Sequence, residues 1–405
     1  MIKLLKNRLI LTLLLGFFLL PNTHLYAAEP KSDAIPSAKI EQFVEVFKRV
    51  KEQYVEDIDD AVLFDYAIRG MVSSLDPHSS FLSKDDFNEL KIGTTGRFGG
   101  LGIEITMEEG FVKIISPIDD TPASRAGLIS GDFITKIDDT LVKGLTIGEA
   151  VKLMRGEPGT SVTITVVREG ARQPLVINLI REIIVAKGVK TELLEGNIGY
   201  IRLSSFQSKS TDHINSHVIK LKKDSKNKLM GLVLDLRNNP GGVLGAAVGI
   251  ADLFLSNGKI VFTKGRTSNS DLEYFATPED IIQGLPMIVM INEGSASASE
   301  IVAGALQDNN RAKIVGTKSY GKASVQTIQE FGDGTALKLT TARYYTPSGK
   351  DIHKEGIVPD IIVEKDIKKV EKENKTTKKP KLPGDDNQLI EALKVMKGLV
   401  TSKSY

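Results

Sequence analysis

The chain has 405 residues, of which 41% are hydrophobic and 26% are charged, so it is long enough for two or three globular domains. It contains no cysteine, which excludes a disulfide framework and a thiolate metal site. Its 53 basic residues nearly balance its 51 acidic residues, and this balance argues against a nucleic-acid-binding protein.

Residues 1–28 are predicted to be a secretory signal. Lys3, Lys6 and Arg8 precede an apolar run from Leu9 to Leu20, and small residues follow before Glu29. This run is shorter than the roughly 20 residues that a membrane-spanning helix needs. The sequence therefore predicts export, with the periplasm of a Gram-negative bacterium as the favoured compartment. An uncleaved signal that retains the protein at the inner membrane is the alternative.

The N-terminal region that follows, residues 37–95, is predicted to be helical. Phe43, Val46, Phe47 and Val50 recur at helical spacing, and a second amphipathic segment covers Ala61 to Ser73. The proline in the run from Leu75 to Phe81 predicts a turn. His78 lies in this turn, and we interpret it as an ordinary turn residue because no catalytic partner lies beside it in the sequence.

Residues 96–183 change character, because short strands of alternating polarity appear there. We predict strands at 102–106, 111–115, 132–137 and 162–167, and a helix over Thr146–Met154. The run Arg97-Phe-Gly-Gly-Leu-Gly-Ile103 is rich in glycine but leads into a strand, whereas a nucleotide-binding loop leads into a helix. Such a turn can present backbone N–H groups to a peptide carboxylate.

Residues 184–363 alternate strands and helices and predict an α/β core. Leu232–Leu236 and Met287–Ile291 are short and almost wholly apolar, as buried sheet strands are. Residues 364–382 are rich in lysine and are predicted to be a charged linker, with contact to an anionic surface as the alternative. A last helix is predicted from Asp386 to Val400, within the segment 383–405.

The run Asn292-Glu-Gly-Ser-Ala-Ser-Ala-Ser-Glu300 follows an apolar strand and precedes a helical pattern. A serine at such a junction exposes its oxygen, and Ser295, Ser297 and Ser299 are all candidates for a nucleophile. No histidine forms a recognisable triad, so lysine is the candidate base, and Lys322 follows a short strand later between Gly321 and Ala323. No His-Glu-x-x-His motif occurs, and we expect neither a metal nor a cofactor.

Together these motifs resemble the carboxyl-terminal processing (tail-specific) protease family. The resemblance implies that Ser297 is the nucleophile, that Lys322 is the base and that Gln326 is the neighbour of Lys322. The N–H of Ala298 and that of Gly241 or Gly242 would form the oxyanion hole. The glycine-rich segment resembles a PDZ domain, in which Phe98, Gly99, Gly100, Leu101 and Gly102 would form the carboxylate-binding loop. Arg155, which follows the Thr146–Met154 helix, is a candidate for coupling peptide binding to catalysis.

The expected fold class is multidomain α+β, with an N-terminal helical region, a small β-rich PDZ domain, an α/β core of the ClpP/crotonase-like type and a C-terminal helix. The expected function is that of a secreted serine endopeptidase that recognises free C-termini of proteins or peptides. Expected further partners are an adaptor or a second copy of the chain, and a peripheral membrane contact; no nucleic acid is expected. The alternatives are a non-catalytic PDZ scaffold of the cell envelope and an enzyme similar to enoyl-CoA hydratase.

Overall fold

The structure, a computed structural model, describes residues 36–118, 120–185, 188–365 and 386–402. The predicted signal lies outside the described residues, and so does most of the predicted charged linker. The chain forms two compact units, Met1–Ala67 and Ile68–Tyr405. Among the described residues no helix combines the length and the apolar character needed to cross a membrane.

The first unit contains helix α1, and helix α2 begins in it. Helix α1 spans Ser37–Gln53 and helix α2 spans Asp60–Ser73. Within this unit the rings of Phe47 and Phe64 lie 4.7 Å apart. No residue of α1 is buried, so its apolar residues remain largely exposed.

The segment predicted to be a PDZ domain forms a sheet with the strand order β3-β4-β5-β7-β8, in which β6 pairs with β5. Strand β3 is therefore an edge strand, and a separate pair, β2 and β9, joins the two ends of the segment. Its elements are β2 Arg97–Gly100, β3 Ile103–Glu108, β4 Phe111–Pro117, α4 Pro122–Arg125, β5 Phe133–Ile137, β6 Thr140–Leu141, α5 Ile147–Met154, β7 Ser161–Val167, β8 Leu175–Ile180 and β9 Glu182–Val185.

The α/β core is built on a six-stranded sheet with the order β10-β11-β12-β15-β16-β19, parallel from β11 onwards. Helices α6, α7 and α8 pack on one face, and helix α9 packs on the other. These elements are β10 Val189–Leu194, β11 Ile198–Leu203, α6 Ser210–Asp224, β12 Gly231–Asp235, α7 Leu244–Asp252, β15 Met287–Ile291, α8 Ala298–Asp308, β16 Lys313–Gly316, β19 Ile361–Ile362 and α9 Asn387–Ser402.

A second sheet of the core is organised around one long strand, β18. Strand β17 pairs along one edge of β18, while β1 and β13 share the other edge, and β14 pairs with β13. Helix α3 lies close to β1 in the chain. These elements are β1 Ser80–Leu82, α3 Lys84–Thr95, β13 Lys259–Gly265, β14 Glu273–Phe275, β17 Ser324–Glu330 and β18 Ala336–Tyr345.

Every residue of β12 and β15 is buried, because helices cover both faces of the parallel sheet. Helix α9 approaches the sheet closely at Gly231. A methyl group added at Gly231 would come within 2.4 Å of the Met396 sulfur. The predicted multidomain α+β architecture is confirmed. The sequence reasoning missed β1, because this strand has three residues and is paired only through distant β18.

We predict that Leu389→Ala lowers the free energy of unfolding by about 2–4 kcal/mol, because the substitution leaves a cavity between α9 and the sheet. Leu389 is fully buried, whereas the neighbouring Ile390 is 37% exposed, so Ile390→Ala is the matched control. Denaturant unfolding of the two variants measures the difference. Equal losses in both would mean that α9 does not dock as described.

Candidate active site

Three loops meet at the carboxyl ends of the neighbouring parallel strands β12, β15 and β16. The first leads from Asp235 to Gly242, the second from Asn292 to Ser297, and the third from Thr317 to Lys322. Ligands of open α/β sheets bind outside the carboxyl ends of the strands. The fold therefore brings the predicted serine, lysine and glycine residues together, although they are far apart in the sequence.

Ser297 is the only one of the three candidate serines whose hydroxyl donates to no backbone carbonyl among the described residues. The Ser295 hydroxyl donates to Leu236 O at 2.8 Å, and the Ser299 hydroxyl donates to Asn239 O at 2.8 Å. Both of these serines are fully buried, whereas Ser297 lines a cavity. The geometry favours Ser297 over its two neighbours as nucleophile.

Ser297 lies directly before α8 with φ 55° and ψ −114°. Positive φ is uncommon for a residue other than glycine and often accompanies a functional site. Helix α8 begins at Ala298, so Ser297, and not Ser299, is its N-cap residue. Ser299 is the second residue of the helix, and its side chain instead holds the loop after β12 through Asn239.

Lys322 is half-buried and lines the same cavity as Ser297, which has a volume of about 370 Å³. Burial lowers the pKa of Lys322, and the charge of Lys338 lowers it further, while Glu300 and Asp76 act in the opposite direction. A lowered pKa favours the neutral amine, which is the form that accepts a proton. In the described part of the chain the amine makes no hydrogen bond or ion pair, and none joins it to the Ser297 hydroxyl. Catalytic hydrogen bonds are often long in the absence of substrate.

The side chain of Glu300 connects the serine loop to the lysine loop. Its carboxylate is fully buried and accepts from Ser297 N at 2.8 Å, Gly321 N at 2.6 Å and Lys322 N at 2.9 Å. It also accepts from the Ser319 hydroxyl at 2.5 Å. The sequence reasoning missed this role, although a glutamate three residues after a helix-capping serine is a recognised signal.

Tyr344 of β18 completes this connection. Its hydroxyl is bonded to Lys322 O and donates to Ser297 O at 3.1 Å. Burial raises the pKa of the Tyr344 hydroxyl well above its usual value, and the Glu300 charge raises it further. The tyrosine therefore remains a neutral donor that ties the backbone of both loops to β18.

The glycine loop packs directly against the serine. A methyl group on Gly241 would come within 2.8 Å of Ser297 Cβ, so a larger residue would displace the nucleophile. Gly241 N already donates to Asn239 Oδ1 at 2.9 Å. Within the described residues the N–H groups of Gly242 and Ala298 have no acceptor. Of the two glycines predicted as oxyanion donors, Gly242 is therefore the better candidate beside Ala298.

Gln326, the predicted neighbour of Lys322, lines the same cavity. Its amide nitrogen donates to the hydroxyls of Ser324 at 3.0 Å and Thr340 at 3.3 Å. These bonds orient the amide, and its carbonyl oxygen has no donor among the described residues. A neutral acceptor in this position can hold the lysine amine without adding charge.

The turn that contains His78 also reaches the site, which sequence reasoning missed. Asp76 accepts from Ser79 N at 2.9 Å and from the Thr340 hydroxyl at 3.2 Å, so the turn is attached to β18. Burial lowers the pKa of His78, and the charge of Lys322 lowers it further. Only the pairing of β1 with β18 brings this turn beside the lysine, so the local sequence carried no signal for it.

In the predicted carboxylate loop, Phe98, Gly99 and Gly100 belong to β2, and Leu101 and Gly102 form the turn into β3. Gly102 has φ +76°. It lies so close to Thr121 that a methyl group added at Gly102 would come within 2.4 Å of Thr121 Cβ. The N–H groups of Leu101 and Gly102 have no acceptor within the described ranges. These two groups lie at the start of edge strand β3, where an incoming peptide can pair.

Arg155 does not contact the catalytic cavity. Its guanidinium pairs with Glu89 of α3 at 2.8 Å and lies 4.7 Å from the centre of the Phe98 ring. Helix α3 reaches the cavity through Leu90 and Thr94, which belong to its lining. Arg155 is thus linked to the site through α3 and not by direct contact.

The comparisons with known proteins agree with this arrangement. The profile described as "Peptidase family S41" matches residues 197–363, that of a PDZ domain matches residues 99–179, and that of the "Activating protease CtpB N-terminal domain" matches residues 22–86. A solved structure of a putative S41 protease from Bacteroides fragilis covers 87% of this chain and 97% of its own, with a TM-score of 0.50 and 17% identity, and supports the fold alone.

Curated relatives extend over nearly the whole chain. The "Carboxy-terminal-processing protease" of Bartonella bacilliformis is 45% identical over 392 residues, which cover 91% of this chain and 90% of that protein. A "Probable CtpA-like serine protease" of Staphylococcus aureus is 38% identical and covers 90% of this chain and 72% of its own length. These matches confirm the predicted resemblance and favour a peptidase over a non-catalytic scaffold or a hydratase. The chain belongs to the carboxy-terminal-processing protease family, the PDZ-containing serine peptidases of family S41.

Proposed function

We propose that this protein is an exported serine endopeptidase that binds the free C-terminus of a substrate on its PDZ domain and cleaves a peptide bond nearby by a Ser–Lys mechanism. One observation carries the mechanism: a serine hydroxyl at a strained strand-to-helix junction and a lysine amine of lowered pKa line one cavity. Export rests on the predicted signal, and the periplasm is the compartment proposed.

In the first half of the reaction, Ser297 Oγ attacks the carbonyl carbon of the substrate peptide bond. Its proton passes to the neutral Lys322 amine, and the carbonyl oxygen becomes an oxyanion that accepts from the N–H groups of Ala298 and Gly242. When the C–N bond breaks, the Lys322 ammonium returns the proton to the leaving amine. The products are an acyl-enzyme on Ser297 and a free amine.

In the second half, water takes the place of the amine. Neutral Lys322 accepts a proton from the water as its oxygen attacks the acyl carbon, and the ammonium then protonates Ser297 Oγ as the ester breaks. Gln326 orients the Lys322 amine through its free carbonyl oxygen. The positive end of α8 favours the oxyanion formed beside Ala298 in both halves.

Capture of the C-terminus follows from the edge of the PDZ sheet. A substrate strand that pairs with β3 places its terminal carboxylate at Leu101 N and Gly102 N, which have no acceptor of their own. The effect of peptide binding is then transmitted through Arg155. Its guanidinium contacts Phe98, which lies beside this turn, and Glu89 of α3. We propose that α3 transmits it to the cavity wall at Leu90 and Thr94.

We predict that Ser297→Ala abolishes cleavage of a synthetic peptide with a free apolar C-terminus while leaving the fold intact. Lys322→Arg should do the same, because an arginine does not lose its proton near neutral pH. Peptide cleavage measured by mass spectrometry, with circular dichroism as the folding control, tests both. Activity within about tenfold of the parent protein in either variant would remove that residue from the mechanism.

We predict that the same peptide with an amidated C-terminus is cleaved with a kcat/KM about tenfold or more lower, because charge-assisted hydrogen bonds to the carboxylate are lost. Parallel cleavage of the two peptides measures the ratio. Equal rates would contradict recognition of the C-terminus and leave the Ser–Lys mechanism standing.

The same pair of peptides tests the path through Arg155. Arg155→Ala and Glu89→Gln should each reduce the advantage of the free-acid peptide, and Arg172→Ala, an exposed arginine of the same domain, is the control. If Arg155→Ala preserves both the rate and the ratio, the coupling path is wrong even though C-terminus recognition stands.

We predict that Glu300→Gln lowers kcat/KM by about tenfold or more. An amide offers one acceptor oxygen in place of two, and buried N–H groups left without an acceptor cost about 1–3 kcal/mol each. Glu293→Gln is the matched control, because Glu293 is an exposed glutamate of the same loop. Cleavage by Glu300→Gln at the rate of Glu293→Gln would show that the carboxylate does not organise the site.

A further inference from the structure

Lys338 is a second lysine of the catalytic cavity with no assigned role. It lies on β18, paired with Ser80 of β1 on one side and Ile328 of β17 on the other. Its side chain is half-buried and belongs to the lining of the cavity, with Ser297 and Lys322. Within the described ranges its ammonium has no carboxylate partner.

The ammonium of Lys338 is unusual in its sheet, because it lines the cavity and has no carboxylate beside it in the described part of the chain. Surface lysines of the same sheet differ from it in their surroundings. Lys264 on β13 is exposed and lies against the rings of Phe262 and Tyr345, while Lys259 forms an ion pair with Glu273. Lys338 therefore differs from both of these lysines, because it lines the cavity and has no such partner among the described residues.

The charges around Lys322 come from three directions. Lys338 on β18 acts against the ammonium form of Lys322, whereas Glu300 on α8 and Asp76 in the turn before β1 act in favour of it. His78, in that same turn, has a pKa lowered by burial and by the charges of Lys322 and Lys338. Asp76 is held in place because it accepts a hydrogen bond from the Thr340 hydroxyl at 3.2 Å. Thr340 lies two residues from Lys338, on the same face of β18.

We propose that Lys338 is a positioning residue of the active site, whose ammonium keeps the neighbouring Lys322 amine neutral and whose effect is limited by Asp76. A cationic neighbour is one of the known ways to activate a lysine. This inference rests on the proposed Ser–Lys mechanism, because it needs Lys322 to act as the base. Lys338 itself takes no proton from Ser297 and does not touch the reacting atoms.

The sign of the effect follows from the charge. Only neutral Lys322 accepts the serine proton, so the rate rises as the pH rises through the Lys322 pKa. Removal of the Lys338 charge stabilises the Lys322 ammonium, and the rise in rate moves to higher pH. Removal of the Asp76 charge destabilises that ammonium, and the rise moves to lower pH.

The test is the pH–rate profile of kcat/KM for the free-acid peptide. Lys338→Gln should move the midpoint of the rise upward by about half a pH unit or more, which lowers kcat/KM near neutral pH about three- to tenfold and restores it at higher pH. Lys338→Arg keeps the charge and should return the midpoint to that of the parent protein. Lys264→Gln, on the same sheet, controls for the loss of a lysine away from the cavity.

Asp76→Asn provides an independent second variant, in which the midpoint should move downward. Opposite shifts in the two variants support the proposal, because a purely structural lesion would lower the rate at every pH without moving the midpoint. A Lys338→Gln midpoint equal to that of the parent protein, or shifts of the same sign in Lys338→Gln and Asp76→Asn, would overturn it. If instead Lys322→Arg is active, the Ser–Lys mechanism itself fails, so the two failures are distinguishable.

Discussion

The arrangement of the candidate active site depends on one buried carboxylate, that of Glu300. It accepts hydrogen bonds from backbone N–H groups on both sides of the serine–lysine pair and is fully excluded from solvent. A buried carboxylate is tolerated only when its oxygens are satisfied, and here the donors come from the loops that follow the neighbouring strands β15 and β16. The same bonds therefore stabilise the charge and set the position of Ser297 relative to Lys322.

A second buried network holds the third loop. Arg237, at the end of β12, donates to Asp235 at 2.7 Å and to Asp386 at 2.6 Å, immediately before α9. Tyr200 of β11 donates to the same Asp235 at 2.7 Å. The C-terminal helix is thereby tied to the loop that carries Gly241 and Gly242, so its docking supports the proposed oxyanion donors as well as the core.

The surroundings of both cavity lysines depend on β18, because its two edges pair with strands from distant parts of the chain. Strand β17 carries Gln326, while β1 brings the turn of Asp76 and His78 to the same place. The charges around Lys322 thus come from segments separated by more than two hundred residues in the sequence. Helix α3 follows β1 directly and extends this cluster to Arg155 and the PDZ sheet.

The sequence by itself was sufficient for many of the elements, for the family and for a short set of catalytic candidates. Apolar runs such as Met287–Ile291 become buried strands because period and composition are local properties, and this prediction agreed with the structure to the residue. The alternating segments of the predicted PDZ domain and the Thr146–Met154 helix were correct to within a few residues for the same reason. The serine run and Lys322 could be identified because serine and lysine carry their chemistry in their own side chains.

Only the tertiary structure decided which groups act together. The choice of Ser297 over Ser295 and Ser299 depends on bonds to Leu236 and Asn239, which lie about sixty residues earlier in the chain. The preference for Gly242 over Gly241 depends on the Asn239 side chain. Asp76 acts on Lys322 only because β1 pairs with β18, and Lys338 does so because β17 pairs with β18. Hydrogen-bond satisfaction and charge proximity are properties of distance in space, and no local pattern of residues encodes them.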